Sequence, residues 1–157
     1  MVSNGLGKSM ADGWFVGMAF REEEIVNKVV ARFADGHMIK GTTADFFPGK
    51  DLFHVSVFNA PAEEKPVEIS TKDMKALFFV KDFLGDPQYV NRKEFDPTHP
   101  TIGRKIRVEF KDGEVLVGTT TGYQSGRPGF FLIPVDSSSN NERCYVVVAA
   151  TKEISLL

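Results

Sequence analysis

Two stretches decide the fold: Lys28 to Thr43, KVVARFADGHMIKGTT, and Lys105 to Thr120, KIRVEFKDGEVLVGTT. They lie 77 residues apart, and the offset runs on without a net gap, placing Phe53 on Phe130, Ile69 on Val146 and Leu77 on Ile154. Ten of 52 aligned positions are identical: Lys28, Phe33, Asp35, Gly36, Gly41, Thr42, Thr43, Gly49, Phe53 and Lys75 with their partners. The matches gather at turn glycines and apolar positions, where backbone geometry and core packing restrict the choice. An internal duplication is the reading they require.

Each copy reads as five short strands. Val29, Ala31 and Phe33 alternate with Val30 and Arg32, and Ile106, Val108 and Phe110 with Arg107 and Glu109, which is the two-residue period of a strand. Asp35-Gly36 and Asp112-Gly113 supply the pair that tight hairpins prefer. Second strands are predicted over 38–44 and 115–121, with Gly41 and Gly118 marking a sharp bend or bulge. Third strands fall at 52–58 and 130–135, fourth strands at 67–71 and 144–148, and fifth strands at 76–80 and 153–156. Five strands in about 52 residues is the size of a small barrel. The fold class is therefore all-β, with an N-terminal segment 1–27 (flexible or docking), barrel 28–80, irregular connector 81–104 and barrel 105–157. Phe83, Tyr89 and Phe95 recur along the connector, so it is expected to lie against the barrels.

A strand, Phe33 to Gly36, then Gly41, and its copy Phe110 to Gly113, then Gly118, resemble the first Sm motif. The chain over 28–157 also resembles an uncharacterised bacterial family of tandem Sm-like/SH3-like small-barrel proteins. Lys75 to Phe83, Arg127 to Leu132 and Asn140 to Arg143 carry that resemblance. It implies the fold and no particular activity. Sm proteins that bind RNA carry an Asp followed by Met-Asn, and a later Arg-Gly pair. Here the loops read Asp45 to Lys50 and Gly122 to Arg127, with Ser70 to Asp73 and Val147 to Ala150 at the Arg-Gly positions. The base pocket does not carry over.

Charge agrees. Barrel 28–79 holds seven basic and seven acidic residues, the connector 80–104 four and four, and 105–157 six and six. Residues 1–27 account for the whole net charge of −2. Neither barrel offers the excess of Lys and Arg that phosphates require, so nucleic-acid binding is expected to be weak. One cysteine, Cys144, excludes an internal disulfide and fits a cytoplasmic setting, and no apolar run approaches a membrane span.

Catalytic motifs are lacking. Gly5-Leu6-Gly7-Lys8-Ser9 has Val2 where a phosphate loop needs glycine. His37, His54 and His99 show no metal-ligand spacing, and Cys144 aligns with Val67 as a core thiol. Asp35 and Asp112 are turn residues rather than a carboxylate pair. A PilZ-type cyclic-dinucleotide site fails because Arg104 and Arg107 stand too close together and Asp136-Ser137-Ser138 lacks its glycine. No enzyme, cofactor or metal is expected.

The two copies differ on one face of the third strand. His54, Ser56 and Phe58 in the first become Phe131, Ile133 and Val135 in the second, an apolar face that must contact something. With the loops beside it, this gives Arg127, Phe131, Ile133, Asn140, Asn141 and Arg143 as candidate interaction residues. The expected function is non-enzymatic binding or scaffolding through a protein partner, with Sm-like RNA binding as the alternative.

Overall fold

The structure, a computed structural model, describes residues 26–157. The Gly5 to Ser9 motif and nearly all of the 1–27 segment lie outside the described residues. Ten strands follow in order: β1 Asn27–Phe33, β2 Met38–Thr43, β3 Leu52–Val57, β4 Val67–Ser70, β5 Met74–Val80, β6 Arg104–Phe110, β7 Val115–Thr120, β8 Gly129–Pro134, β9 Asn141–Val147 and β10 Thr151–Leu156. Two single 3₁₀ turns, Thr71–Asp73 and Val148–Ala150, lead into β5 and β10.

The strands form one antiparallel sheet that is not closed, in the order β10-β6-β7-β8-β9-β5-β1-β2-β3-β4. The expected tandem five-stranded units are therefore not separate bodies but halves of one sheet, and β5 is the reason. All seven of its residues, MKALFFV, are buried. Met74, Leu77 and Phe79 enter one hydrophobic cluster, while Ala76, Phe78 and Val80 enter the other. A strand apolar on both faces cannot stand at a sheet edge. β9 takes the vacant side, with Tyr145 opposite Leu77 and Val146 opposite Ala76.

Within residues 27–80, Val29 lies opposite Gly41 and Phe79, and Phe53 opposite Ile69. Within 104–156, Ile106 lies opposite Gly118 and Leu156, and Phe130 opposite Val146. The first cluster is built around Val29, Phe53, Val55, Ile69 and Leu77, the second around Ile106, Val108, Phe110, Leu132 and Val146. Phe33 and Phe110, aligned by the offset, are both buried.

The glycines within β2 and β7 permit a close backbone crossing. A Cβ on Gly41 would sit 2.1 Å from the Ser56 carbonyl oxygen, and one on Gly118 would sit 2.0 Å from that of Ile133. No side chain fits there. The hairpin turns form as the sequence implies. Gly36 and Gly113 hold φ of 99° and 95°, and the Asp35 and Asp112 carboxylates accept the backbone N–H of His37 and Glu114.

The connector lies on the sheet. Phe83 packs on the second cluster and stacks 4.5 Å from Phe58, Tyr89 donates to Asp136 at 2.7 Å, and Lys105 lies over the Phe95 ring at 4.9 Å. Among the described residues, no helix is long and apolar enough to cross a membrane.

Candidate functional site

The candidate residues divide between two places. Phe131 and Arg143 come together where β8 and β9 meet the first cluster. Phe46, from the loop after β2, stands edge-on to Phe53, Phe79, Phe131 and Tyr145, at centroid distances of 5.1, 6.1, 6.3 and 5.1 Å. Phe131 is half-buried in this group, 5.4 Å from Tyr145. The Arg143 guanidinium lies 4.2 Å from the Phe79 ring centroid and 4.8 Å from that of Phe131. An exposed cation over two rings gains from both quadrupoles and shields their faces from water. Ile133, on the same face of β8 as Phe131, remains 56% exposed, and Phe47, next to Phe46, is 59% exposed. The apolar face is thus partly covered by the other half of the sheet, with its outer end open.

Asn140 and Asn141 sit elsewhere, at the start of β9. Asn140 donates its side-chain amide to the Asp82 carbonyl at 2.9 Å, and its side-chain oxygen accepts the Asp82 N–H at 3.0 Å. Its own carbonyl accepts from the Lys81 backbone at 2.9 Å. Asn140 therefore continues the β5–β9 ladder into the connector. Asn141 pairs with Val80 and takes its N–H to the Ser139 hydroxyl. The two border a groove of about 750 Å³ between the connector and the β8–β9 turn, with Arg32, Met38, Leu84 and Tyr89 on its walls. Arg127 is exposed in the turn before β8, where its N–H bonds the Gln124 carbonyl. The cation over the aromatic rings is Arg143.

Two polar anchors escaped the sequence reading. Lys75 is only 4% exposed, yet its ammonium donates to Asp112 at 2.6 Å and to Glu114, and lies 4.7 Å over the Phe110 ring. Arg32 reaches Glu114 at 3.4 Å. Lys75 and Arg32 belong to the first half, and both carboxylates flank the second half's hairpin turn. The hydrogen bond from Lys75 holds the Asp112 carboxyl below its usual range, helped by the Glu114 N–H. Lys75 is visible in sequence as an identity with Lys152 at the 77-residue offset, but only three dimensions show that it crosses to the other half.

The second anchor is Asp136, buried at 6% exposure. It accepts Tyr89 Oη at 2.7 Å, the Arg92 N–H at 2.8 Å and the Ser138 N–H at 3.0 Å. The Tyr89 bond is the first cause that lowers its carboxyl, and the same bond raises the Tyr89 phenol. In sequence Asp136 fits only a nucleotide motif that lacks its glycine, since nothing local announces a partner 47 residues away.

Each histidine is exposed and tied to a nearby carboxylate: His37 to Asp35 at 2.5 Å, His54 to Asp45 at 2.8 Å and His99 to Asp96 at 2.7 Å. Cys144 is fully buried, and burial pushes its thiol up, the opposite of a nucleophile's requirement. Among the described residues, no group of three or more His, Cys, Asp or Glu could hold a metal ion.

The profile of a family described as a family of unknown function, DUF6982, matches residues 25–157. No curated protein and no solved structure matches the chain.

Proposed function

We propose that this chain, which belongs to the DUF6982 family of unknown function, is a non-enzymatic binding or scaffolding module acting through protein–protein contacts. The proposal includes its architecture: two tandem Sm-like or SH3-like five-stranded units, 28–80 and 105–157, related by duplication. Supporting it, the strand orders β5-β1-β2-β3-β4 and β10-β6-β7-β8-β9 correspond element by element. The registers correspond too, since Ala31 opposite Leu77 maps onto Val108 opposite Ile154. The single buried thiol fits a reducing cytoplasm, and the tandem-barrel resemblance points to a bacterial source.

One observation carries the functional reading. Exposed Ile133 and Phe47 flank an aromatic group capped by Arg143, and an apolar centre with aromatic and Arg neighbours is the composition that dominates binding at protein interfaces. Ile133 is the probe of choice because little of the fold rests on it. Ile133→Asp in tagged full-length chain should abolish capture of the partner from native lysate and leave the melting temperature unchanged. Capture at the wild-type level would refute this surface. A tight oligo-uridine complex at physiological salt would favour the RNA-binding alternative instead.

A further inference from the structure

The two halves of the sheet complete each other's cores. From the first half, Val30, Ala76, Phe78 and Val80 join the cluster built on Ile106 and Leu132. From the second, Tyr145 and Val147 join the cluster built on Phe53 and Leu77, and Phe131 packs against it. The junction is heterologous: the fifth strand of one unit pairs with the fourth strand of the other. A heterologous contact leaves the complementary pair of edges at the far ends, here β4 and β10, each with one neighbour among the described residues. Repeated between chains, such a contact produces rings or filaments.

At the 77-residue offset, the crossing positions change character at those ends. Val30, Ala76 and Phe78 become Arg107, Glu153 and Ser155, with Leu157 in place of Val80 as the one apolar survivor. Phe131, Tyr145 and Val147 become His54, Glu68 and Ser70. Arg143 becomes Pro66, which has no N–H for a ladder. His54 is held by Asp45 at 2.8 Å and stands 3.8 Å from Glu68, so the β3–β4 end carries a local polar network.

We infer that β4 and β10 are capped ends: the chain does not assemble head to tail, because the residues that make its own junction are replaced there by charged and polar ones. This rests on the tandem reading proposed above. In the junction's register, β10 of a second copy on β4 would set Glu68 opposite Ile154 and Glu153 opposite Ile69. Each carboxylate would lose water and meet hydrocarbon, and an unpaired charge buried that way opposes association strongly. Inward-pointing charge and proline on short edge strands are established means of blocking such pairing.

The test uses the full chain and two variants that restore the junction's residues. His54→Phe/Glu68→Tyr gives the β4 end the side chains of Phe131 and Tyr145. Glu153→Ala/Ser155→Phe gives the β10 end those of Ala76 and Phe78. In sedimentation equilibrium, wild type and each variant alone should run at 17.4 kDa, and an equal mixture should form a one-to-one complex. Wild-type chains that associate through β4 or β10 would overturn the inference. So would a mixture that stays monomeric with both partners folded by circular dichroism. If either variant pairs with itself, the two edges are not complementary copies of the junction, and the tandem reading fails with the inference. Should a double variant misfold, Glu68→Tyr and Ser155→Phe alone provide the same mixing experiment, and the wild-type mass stands independently.

Discussion

Lys75 makes the contact between halves unequal in a way that mutation can expose. Its side chain is 5% exposed, whereas those of Asp112 and Glu114 are 52% and 35% exposed. Lys75→Met removes the charge from the buried side only. The two carboxylates then rehydrate, Arg32 still stands 3.4 Å from Glu114, and the methionine keeps most of the contact with Phe110. The net cost should be no more than about 1 kcal/mol, the scale of a partly exposed ion pair. Asp112→Asn/Glu114→Gln does the reverse. The amide oxygens still accept hydrogen bonds, but the ammonium is left buried without opposite charge. Breaking a buried pair on one side costs roughly 3–5 kcal/mol when the other charge is stranded, and the remaining hydrogen bonds reduce that to about 2 kcal/mol here. For a chain of this length, each kcal/mol moves the melting temperature by roughly 2–4 °C. The carboxylate double variant should therefore melt about 4–8 °C below wild type, and Lys75→Met within about 3 °C. Differential scanning calorimetry at neutral pH reads both. If Lys75→Met proves the more damaging, the ammonium is not the stranded charge and the reasoning from burial is refuted.

Packing and carboxylate contacts near this junction set two further outcomes. Phe131→Ser empties half of a packed aromatic position beside Phe46, Phe79 and Tyr145 and should lower stability by about 2 kcal/mol, whereas Ile133→Ser on the same strand face should stay within about 0.5 kcal/mol; equal melting temperatures for the two would contradict this packing. Asp112 and Asp136 have folded-state carboxyls held below the ordinary aspartate range, by the bonds from Lys75 and Tyr89 respectively, so their stabilisation is complete above that range and is lost as pH falls through the lowered folded values. Melting temperature should decline below about pH 4, and less steeply in Asp112→Asn/Glu114→Gln; an unchanged acid limb in that variant would show that Asp112 does not contribute.

The strands were legible because they are local events. Alternation from Val29 to Phe33 and from Ile106 to Phe110, with Asp-Gly turns behind them, places β1, β2, β6 and β7 nearly to the residue. The way the halves meet was not legible from alternation. Ala76 to Val80 is a continuous apolar run, and such a run states that both faces are buried without naming what buries them. Here the answer is β9, whose residues lie more than 60 positions away. The site followed the same division. Phe131 and Ile133 stood out because the 77-residue offset aligns them with His54 and Ser56. Lys75 and Asp136 did not, since a lysine in a strand and an aspartate in a Ser-rich turn look ordinary until their distant partners are placed.

The charges around the two kinds of edge bear on where a partner can bind. At the junction, Lys75 from one half satisfies Asp112 and Glu114 on the other, so this polar contact runs between the halves. At the β4 and β10 ends the corresponding groups are satisfied nearby. Asp35, the counterpart of Asp112, bonds His37 two residues on, and Lys152, the counterpart of Lys75, reaches Glu109 on the adjacent strand at 3.9 Å. An edge that has neutralised its own charges and carries Glu68 or Glu153 where apolar side chains would dock offers little to a strand-adding partner. The outer rim of the junction differs, because Ile133 and Phe47 are exposed there beside rings already fixed by Arg143 and Phe46. Fixed aromatic neighbours lose little freedom on binding, which lowers the cost of association at that spot. The proposed partner surface therefore belongs on the rim of the junction, away from the ends of the sheet.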